Sequence, residues 1–311
     1  HRDLHLSLRR QRQMCIRDRR HADIVVEELG LKDSKSVSAP GSKEDVDRML
    51  LDLGEPLGPV ESTQYRALAA RLNYLAMDRP DIQFATKEVC REMSKPTTGS
   101  LRRLRRIGQY LRGRPRLVWK YDMQQPCSEI DVYTDSDWAG CGKSARSTSG
   151  GIVCLGEHTI KSYSKQQKVV ALSSAEAELY AMVAASAEVL AIAAYANDVG
   201  IHLACELYCD SAAALGITQR AGIGKVRHLR TQGLWVQEVR VSGRITYKKV
   251  LGEKNPADLL TKHMPAELTA RHTATLGMQW TIGRATRSSA RRVGSPEQRA
   301  LSTRAASEYP S

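Results

Sequence analysis

Apolar residues recur at helical spacing through the first part of the chain and alternate with polar ones through much of the second. In "STQYRALAARLNYLAM", Tyr65, Leu68, Leu72 and Leu75 fall on one helical face, and Ser62 stands where an N-cap is expected. "RPDIQFATKEVCREMSKP" places Pro80 at a first turn and Pro96 beyond the end, predicting a second helix between them. Leu101, Leu104, Ile107 and Leu111 make the stripe of a third, with Arg102, Arg103, Arg105 and Arg106 around it. Upstream, from Ala22, a short amphipathic segment leads into a Ser/Pro/Gly linker. After Pro126 the period changes. "EIDVYTD" reads as a strand, "GGIVCLGEHTIKSYS" as a hairpin turning near Gly156, and "CELYCD" and "GRITYKKV" as two more strands. Between them runs an Ala-rich helix from Ala175 to Asn197, stopped by Gly200. Strand, hairpin, helix, strand, two helices, strand and helix predict an α/β domain on a mixed sheet.

A chain of 311 residues has room for about two such units. The boundaries expected are a leader over 1–21 outside the fold, a helical segment over 22–125, the α/β domain over 126–268 and a basic disordered tail over 269–311. The net charge of +13 points to a polyanionic partner, but most of it lies on the flanks. Residues 1–21 hold seven Arg against two Asp, and 269–311 seven Arg against two Glu. Within the body, Leu101 to Lys120 carries eight cations and no acid, which favours phosphate contact over an ordinary solvated face. Seven cysteines without a C-x-x-C pair argue for a reducing compartment and packing thiols, against zinc or a disulfide framework. No apolar run approaches the roughly 20 residues of a membrane span, so an intracellular protein without a membrane partner is expected.

Four acids stand where a site could use them. Asp135 ends the first strand and Asp210 follows "LYC", both at carboxyl ends of strands; Glu178 lies in the first turns of the long helix, and Asp258 follows Pro256 in "NPADLLTK". Clustered carboxylates repel unless a cation fills the space, and hard divalent ions take oxygen ligands. Each has a plainer reading. Ser173 and Glu176 fit a capping box, leaving Glu178 the better catalytic candidate; Asp210 could cap the next helix, and Asp258 could complement a helix dipole.

"YTDSDWAG", "STSGGIVCLG", "SYSKQQKVVALSSAEAELYA", "LYCDSAAAL", "VRHLRTQGLWVQE" and "NPADLLTK" resemble, in order and spacing, the ribonuclease H domain of copia-type retrotransposon Pol polyproteins. The resemblance covers about Cys127 to Pro265. Upstream, "YRALAARLNYLAMDRPDIQFATKEVCREMSKPT" and "RRIGQYLRG" are similar to the stretch after the polymerase palm, extending it to about Ala22. It implies a ribonuclease H-like fold, a mixed five-stranded sheet with flanking helices, preceded by a thumb- or connection-like remnant of the reverse transcriptase. It also implies a hydrolase that cuts the RNA strand of RNA:DNA hybrids. The catalytic and metal-binding acids would be Asp135, Glu178, Asp210 and Asp258, holding two Mg²⁺ ions with Mn²⁺ as a substitute. Asp137 would support them or face solvent, with Trp138 and Gly140 shaping the turn. Candidate nucleic-acid contacts are Arg102, Arg103, Arg105, Arg106, Lys165 and Lys168. The partners implied are the hybrid and the upstream polymerase part of the same polyprotein, in cytoplasmic particles or in the nucleus.

Two departures stand out. The loop histidine that cellular relatives carry before the last acid has no counterpart in "VLGEKNPADLL", and His228 is followed two residues later by Arg230 where the family has an acid. Rival readings are a polymerase, an integrase core and a catalytically inactive nucleic-acid-binding remnant. "YTDSD" lacks the adjacent acids of a polymerase hairpin, and an integrase places its glutamate last rather than second.

Overall fold

A computed structural model describes residues 20–42, 54–222 and 230–280. Residues 20–28 form α1, so Arg20 and His21, assigned to the leader from sequence, belong to a helix whose Ala22 and Val25 are buried. Helices α2 (Pro59–Leu75), α3 (Pro80–Arg91) and α4 (Thr98–Gly113) close a core with it, and the Tyr65, Leu68, Leu72 and Leu75 face is buried as its spacing predicts. The start of α2 differs. Gly58 is the N-cap, while Ser62 lies inside the helix and donates to the Leu57 carbonyl at 3.1 Å. Pro59 supplies a preset φ at the first position and Glu61 accepts the Gly58 N–H at 3.2 Å, so the helix closes a turn earlier. Along α4, Leu104, Ile107 and Leu111 are buried, and Gly108 leaves room for Leu29 and Leu31.

A short strand, β1 (Leu117–Trp119), leads out of the helices into the sheet strands β2 (Glu129–Asp137), β3 (Thr148–Leu155) and β4 (His158–Gln166). Then come α5 (Ser174–Asp198), β5 (Ala204–Cys209), α6 (Ala212–Gln219), α7 (Arg230–Val241) and β6 (Ile245–Lys249). The strand order is β4-β3-β2-β5-β6, with β2–β3 and β3–β4 antiparallel and β2–β5 and β5–β6 parallel. This is the ribonuclease H-like α/β fold that the resemblance implies. One face of the sheet buries Ile130, Val132 and Leu207 against Leu179, Met182 and Val189 of α5 and Val236 of α7. The other buries Ile152 and Cys154 against Leu259, Leu260, Leu276 and Met278.

Two further expectations are corrected. Helix α5, at 25 residues, is long and apolar enough by composition to cross a membrane, contrary to the expectation that no apolar run approaches that length. Its Leu179, Met182, Ala185 and Val189 are committed to the sheet. The chain beyond residue 268 is also ordered further than a disordered tail would be. After two 3₁₀ turns, Gly252–Lys254 and Pro256–Leu260, α8 (Ala266–Thr275) and β7 (Met278–Trp280) follow, and β7 pairs antiparallel with β1. Few apolar residues mark this stretch, but Leu276 and Met278 fill the second face of the sheet, and Gly277 makes the turn between them at φ 74°. Helix α3 ties the helical segment to the sheet: Lys87 Nζ donates to Thr148 Oγ1 at 2.6 Å, and Lys143 pairs with Glu92 at 2.7 Å.

Candidate active site

Four elements each deliver one carboxylate to the carboxyl edge of β2 and β5. Asp135 lies near the end of β2, opposite Gly150 of β3, and is buried. Its carboxylate accepts the hydroxyl of Thr261, which is wholly buried. Glu178 lies in the first turns of α5, behind the N-cap Ser173, whose hydroxyl accepts the Glu176 N–H at 3.2 Å. Glu176 itself accepts the Leu172 N–H at 2.8 Å, the end-closing role its spacing predicts. Glu178 is thereby left for the site, where the Ser136 N–H donates to it at 3.2 Å. Burial, with the charges of Asp135 and Asp210, pushes its carboxyl up to about 8.

Asp210 follows the last residue of β5 and does not cap α6. Ser211 does, accepting the Ala214 N–H at 3.2 Å. Burial and Asp135 raise the Asp210 carboxyl. Asp258 rides on the Pro256–Leu260 turn, which Asn255 caps by accepting the Ala257 N–H at 3.2 Å. Asn255 also donates to the Thr134 carbonyl at 3.0 Å, stapling that turn to β2. Burial and Asp135 raise Asp258 as well, against Lys262 at 2.9 Å.

The donor set fits a hard divalent cation. Glu178, Cys209 and Asp210 offer ligand atoms within 4.8 Å of one another. Burial, followed by the charge of Glu178, holds the Cys209 thiol far above its usual range. That sulfur therefore stays protonated and packs, leaving an all-oxygen set of the kind that divalent ions such as Mg²⁺ accept.

The second acid of "DSDW" takes a different place. Asp137 is half-buried, and burial, opposed by Lys87 and reinforced by Asp135, lifts its carboxyl to about 6. Its carboxylate lies over Gly140, where any side chain would collide with it. The left-handed residue of this turn is Ala139, at φ 55°, while the Trp138 indole donates to the Ala171 carbonyl at 3.0 Å.

Among curated proteins, the retrovirus-related Pol polyprotein from transposon RE1 of Arabidopsis thaliana is 33% identical over 205 residues, 65% of this chain. An uncharacterised mitochondrial protein of the same plant is 30% identical over 172 residues, 54% of this chain and 68% of its own length. The chain belongs to the Pol polyprotein family of copia-like retrotransposons. This Pol chain spans only 14% of the RE1 polyprotein's length, and the sheet with its helices has the ribonuclease H-like fold. No family model matches it. A ribonuclease H1 isolated from compost is 18% identical, with a TM-score of 0.36 over 43% of this chain and 93% of that one. Strand order and orientation, rather than that superposition, identify the fold.

The basic residues singled out in this Pol chain are less free than their count implies. Arg103 pairs with the buried Glu92 at 3.3 Å, and Arg105 donates to the Leu29 carbonyl at 3.2 Å. Both serve packing of the helical segment, and Arg102 and Arg106 also have partners. Lys165 lies over the Tyr163 ring and pairs with Glu188 at 3.3 Å; Lys168 is exposed. His228 falls outside the described residues.

Three residues of the site escape a sequence reading of this Pol chain. Thr261 and Lys262 grip Asp135 and Asp258, and Gly150 lets the Pro256–Leu260 turn approach. A Cβ on Gly150 would come within 2.8 Å of Leu260 Cβ and 2.9 Å of the Ala257 carbonyl. A glycine pair inside a strand, as in "SGGIV", is the one signal that could have flagged it.

Proposed function

We propose that this domain hydrolyses the RNA strand of RNA:DNA hybrids, with Asp135, Glu178, Asp210 and Asp258 holding two Mg²⁺ ions. The observation that carries the reading is the convergence of four carboxylates from four elements, where burial and the charge of Asp135 raise Glu178, Asp210 and Asp258, an arrangement that is unfavourable until a cation joins it. When bound, such ions supply a water of lowered pKa and neutralise a departing 3′ oxygen; Mn²⁺ can take the same oxygen donors.

The chain's own residues prepare the place. Thr261 fixes the Asp135 carboxylate, the Ser136 N–H orients Glu178, and Asn255 anchors the turn that carries Asp258. Glu178 and Asp135 are buried, while Asp210 is only half-buried, so solvent and substrate reach the cluster from the Asp210 side. Choice of the RNA strand would rest on its 2′-hydroxyls in the shallow minor groove, with exposed Lys165 and Lys168 available to phosphates. The polymerase portion of the polyprotein would present the hybrid.

The test is cleavage of an end-labelled RNA:DNA hybrid by the full chain in Mg²⁺, beside duplex DNA and duplex RNA. Loss of the RNA strand alone is expected, abolished by chelation and reduced at least about 100-fold by Asp210→Asn. Binding of the hybrid without any cleavage by the unaltered chain would replace this reading with that of an inactive nucleic-acid-binding remnant.

A further inference from the structure

Lys262 has no assigned part in the proposed reaction, yet its ammonium sits at the carboxylate cluster. It follows Thr261 directly and stands four residues after Asp258, whose Oδ1 lies 2.9 Å from its Nζ. The Lys262 side chain is 44% exposed and the Asp258 side chain 12%, so the pair lies at the rim of the cluster, with one partner largely desolvated. Adjacent residues thus hold two different carboxylates: Thr261 takes Asp135 through its hydroxyl, and Lys262 takes Asp258 through its charge. The staple from Asn255 to the Thr134 carbonyl and the contact at Gly150 fix the backbone that presents both.

An exposed lysine–aspartate pair one helical turn apart is ordinarily worth little. This one differs in its surroundings. The charges that Lys262 faces include Asp135 and Asp210 as well as Asp258, carried by β2 and the end of β5. The Lys262 stem is long and flexible, so its head can leave without disturbing the backbone.

We propose that Lys262 is a positioning residue whose ammonium fills the place of a cation on the Asp258 side of the cluster, keeping the four carboxylates assembled until divalent metal displaces it. The proposal rests on the metal-binding reading above. It assigns this chain a device by which the cluster stays folded in the absence of metal, at the expense of metal affinity.

The test is Mn²⁺ binding to the full chain without nucleic acid, followed by calorimetry and by the ion's paramagnetic resonance, so that a phosphate contact by Lys262 does not register. Replacing the resident charge, Lys262→Met is expected to bind Mn²⁺ at least about tenfold more tightly than the unaltered chain, while Lys262→Arg stays within about threefold. In chelator, Lys262→Met is expected to melt at a lower temperature than the unaltered chain and to recover on adding Mn²⁺. If that variant does not fold without metal, refolding in Mn²⁺ is the expected rescue, and its failure overturns the proposal. Unchanged or weaker Mn²⁺ binding by Lys262→Met overturns it too, leaving the metal reading intact. An unaltered chain that binds no Mn²⁺ overturns both.

Discussion

Glu178 carries the strongest electrostatic constraint among the candidate site residues. Its folded carboxyl, pushed up to about 8, lies well above the ordinary glutamate value. A group raised on folding stabilises the native state while it is protonated, and that contribution disappears as pH rises through the folded value. The metal-free chain is therefore expected to lose on the order of 2 kcal/mol between about pH 6 and pH 9, as read by denaturant melts in chelator. Glu178→Gln should flatten this dependence, stabilise the metal-free chain at high pH and abolish cleavage. Mg²⁺ should restore stability in the unaltered chain above about pH 8 and do little for the variant. Gly150 makes the complementary steric case. Gly150→Ala places a methyl against Leu260 and the Ala257 carbonyl, so a loss of about 1–3 kcal/mol and a drop in Mg²⁺-dependent cleavage are expected together. A variant that lost neither would show that the Pro256–Leu260 turn need not press on β3.

At the scale of elements, α5 depends on its N-terminal end for both stability and chemistry, because the candidate ligand Glu178 follows the cap at Ser173 within two turns. Ser173→Ala should cost about 1 kcal/mol and weaken cleavage through the tilt of that end; an unchanged melt would show that Glu176 holds the end by itself. The long periodic elements were legible in the sequence. Alternation gave β2, the hairpin turn at Gly156 gave β3 and β4, and Ala-rich composition ended by Gly200 gave α5. Three-residue strands such as β1 and β7 show no period, and each is specified only by its partner far along the chain. For the same reason Ser62 looked like a cap when Pro59 and Glu61 had already closed the helix. Of the candidate site, the four acids could be read because a family motif surrounds each. The roles of Thr261, Lys262 and Gly150 could not, since each lies in a contact made by folding. The cation stripe of α4 is less free than its charge count implies, because charge count says nothing about partners and Glu92 pairs with Arg103.

Across the whole described chain, the helical segment and the ribonuclease H-like sheet share a seam that a division at residue 126 conceals. Lys87 reaches Thr148, Gln83 reaches the Ser162 carbonyl at 3.5 Å, and Arg91 lies 2.6 Å from the Cys141 sulfur. The seam is closed from the far end by Trp280, whose ring stacks edge-on with Tyr110 and lies under the guanidinium groups of Arg79 and Arg114. Arg79 in turn is buried and pairs with Asp81 at 2.8 Å, which also accepts the Tyr110 hydroxyl at 3.0 Å. Trp280→Ala is expected to lower stability by about 2 kcal/mol and to separate the melting of the helical segment from that of the sheet, measured by hydrogen exchange in each. A uniform loss of protection would mean that the α3 contacts alone couple them. The pairing of β1 with β7 also sets a timetable for synthesis. Leu117–Trp119 leaves the ribosome about 160 residues ahead of its partner strand, an interval of roughly 8–30 s at ordinary rates of translation. Throughout that interval the early helices must wait with one edge unsealed, so a pause within β6 would leave a nascent chain with its sheet nearly complete and its opening helices still exposed to chaperones and proteases.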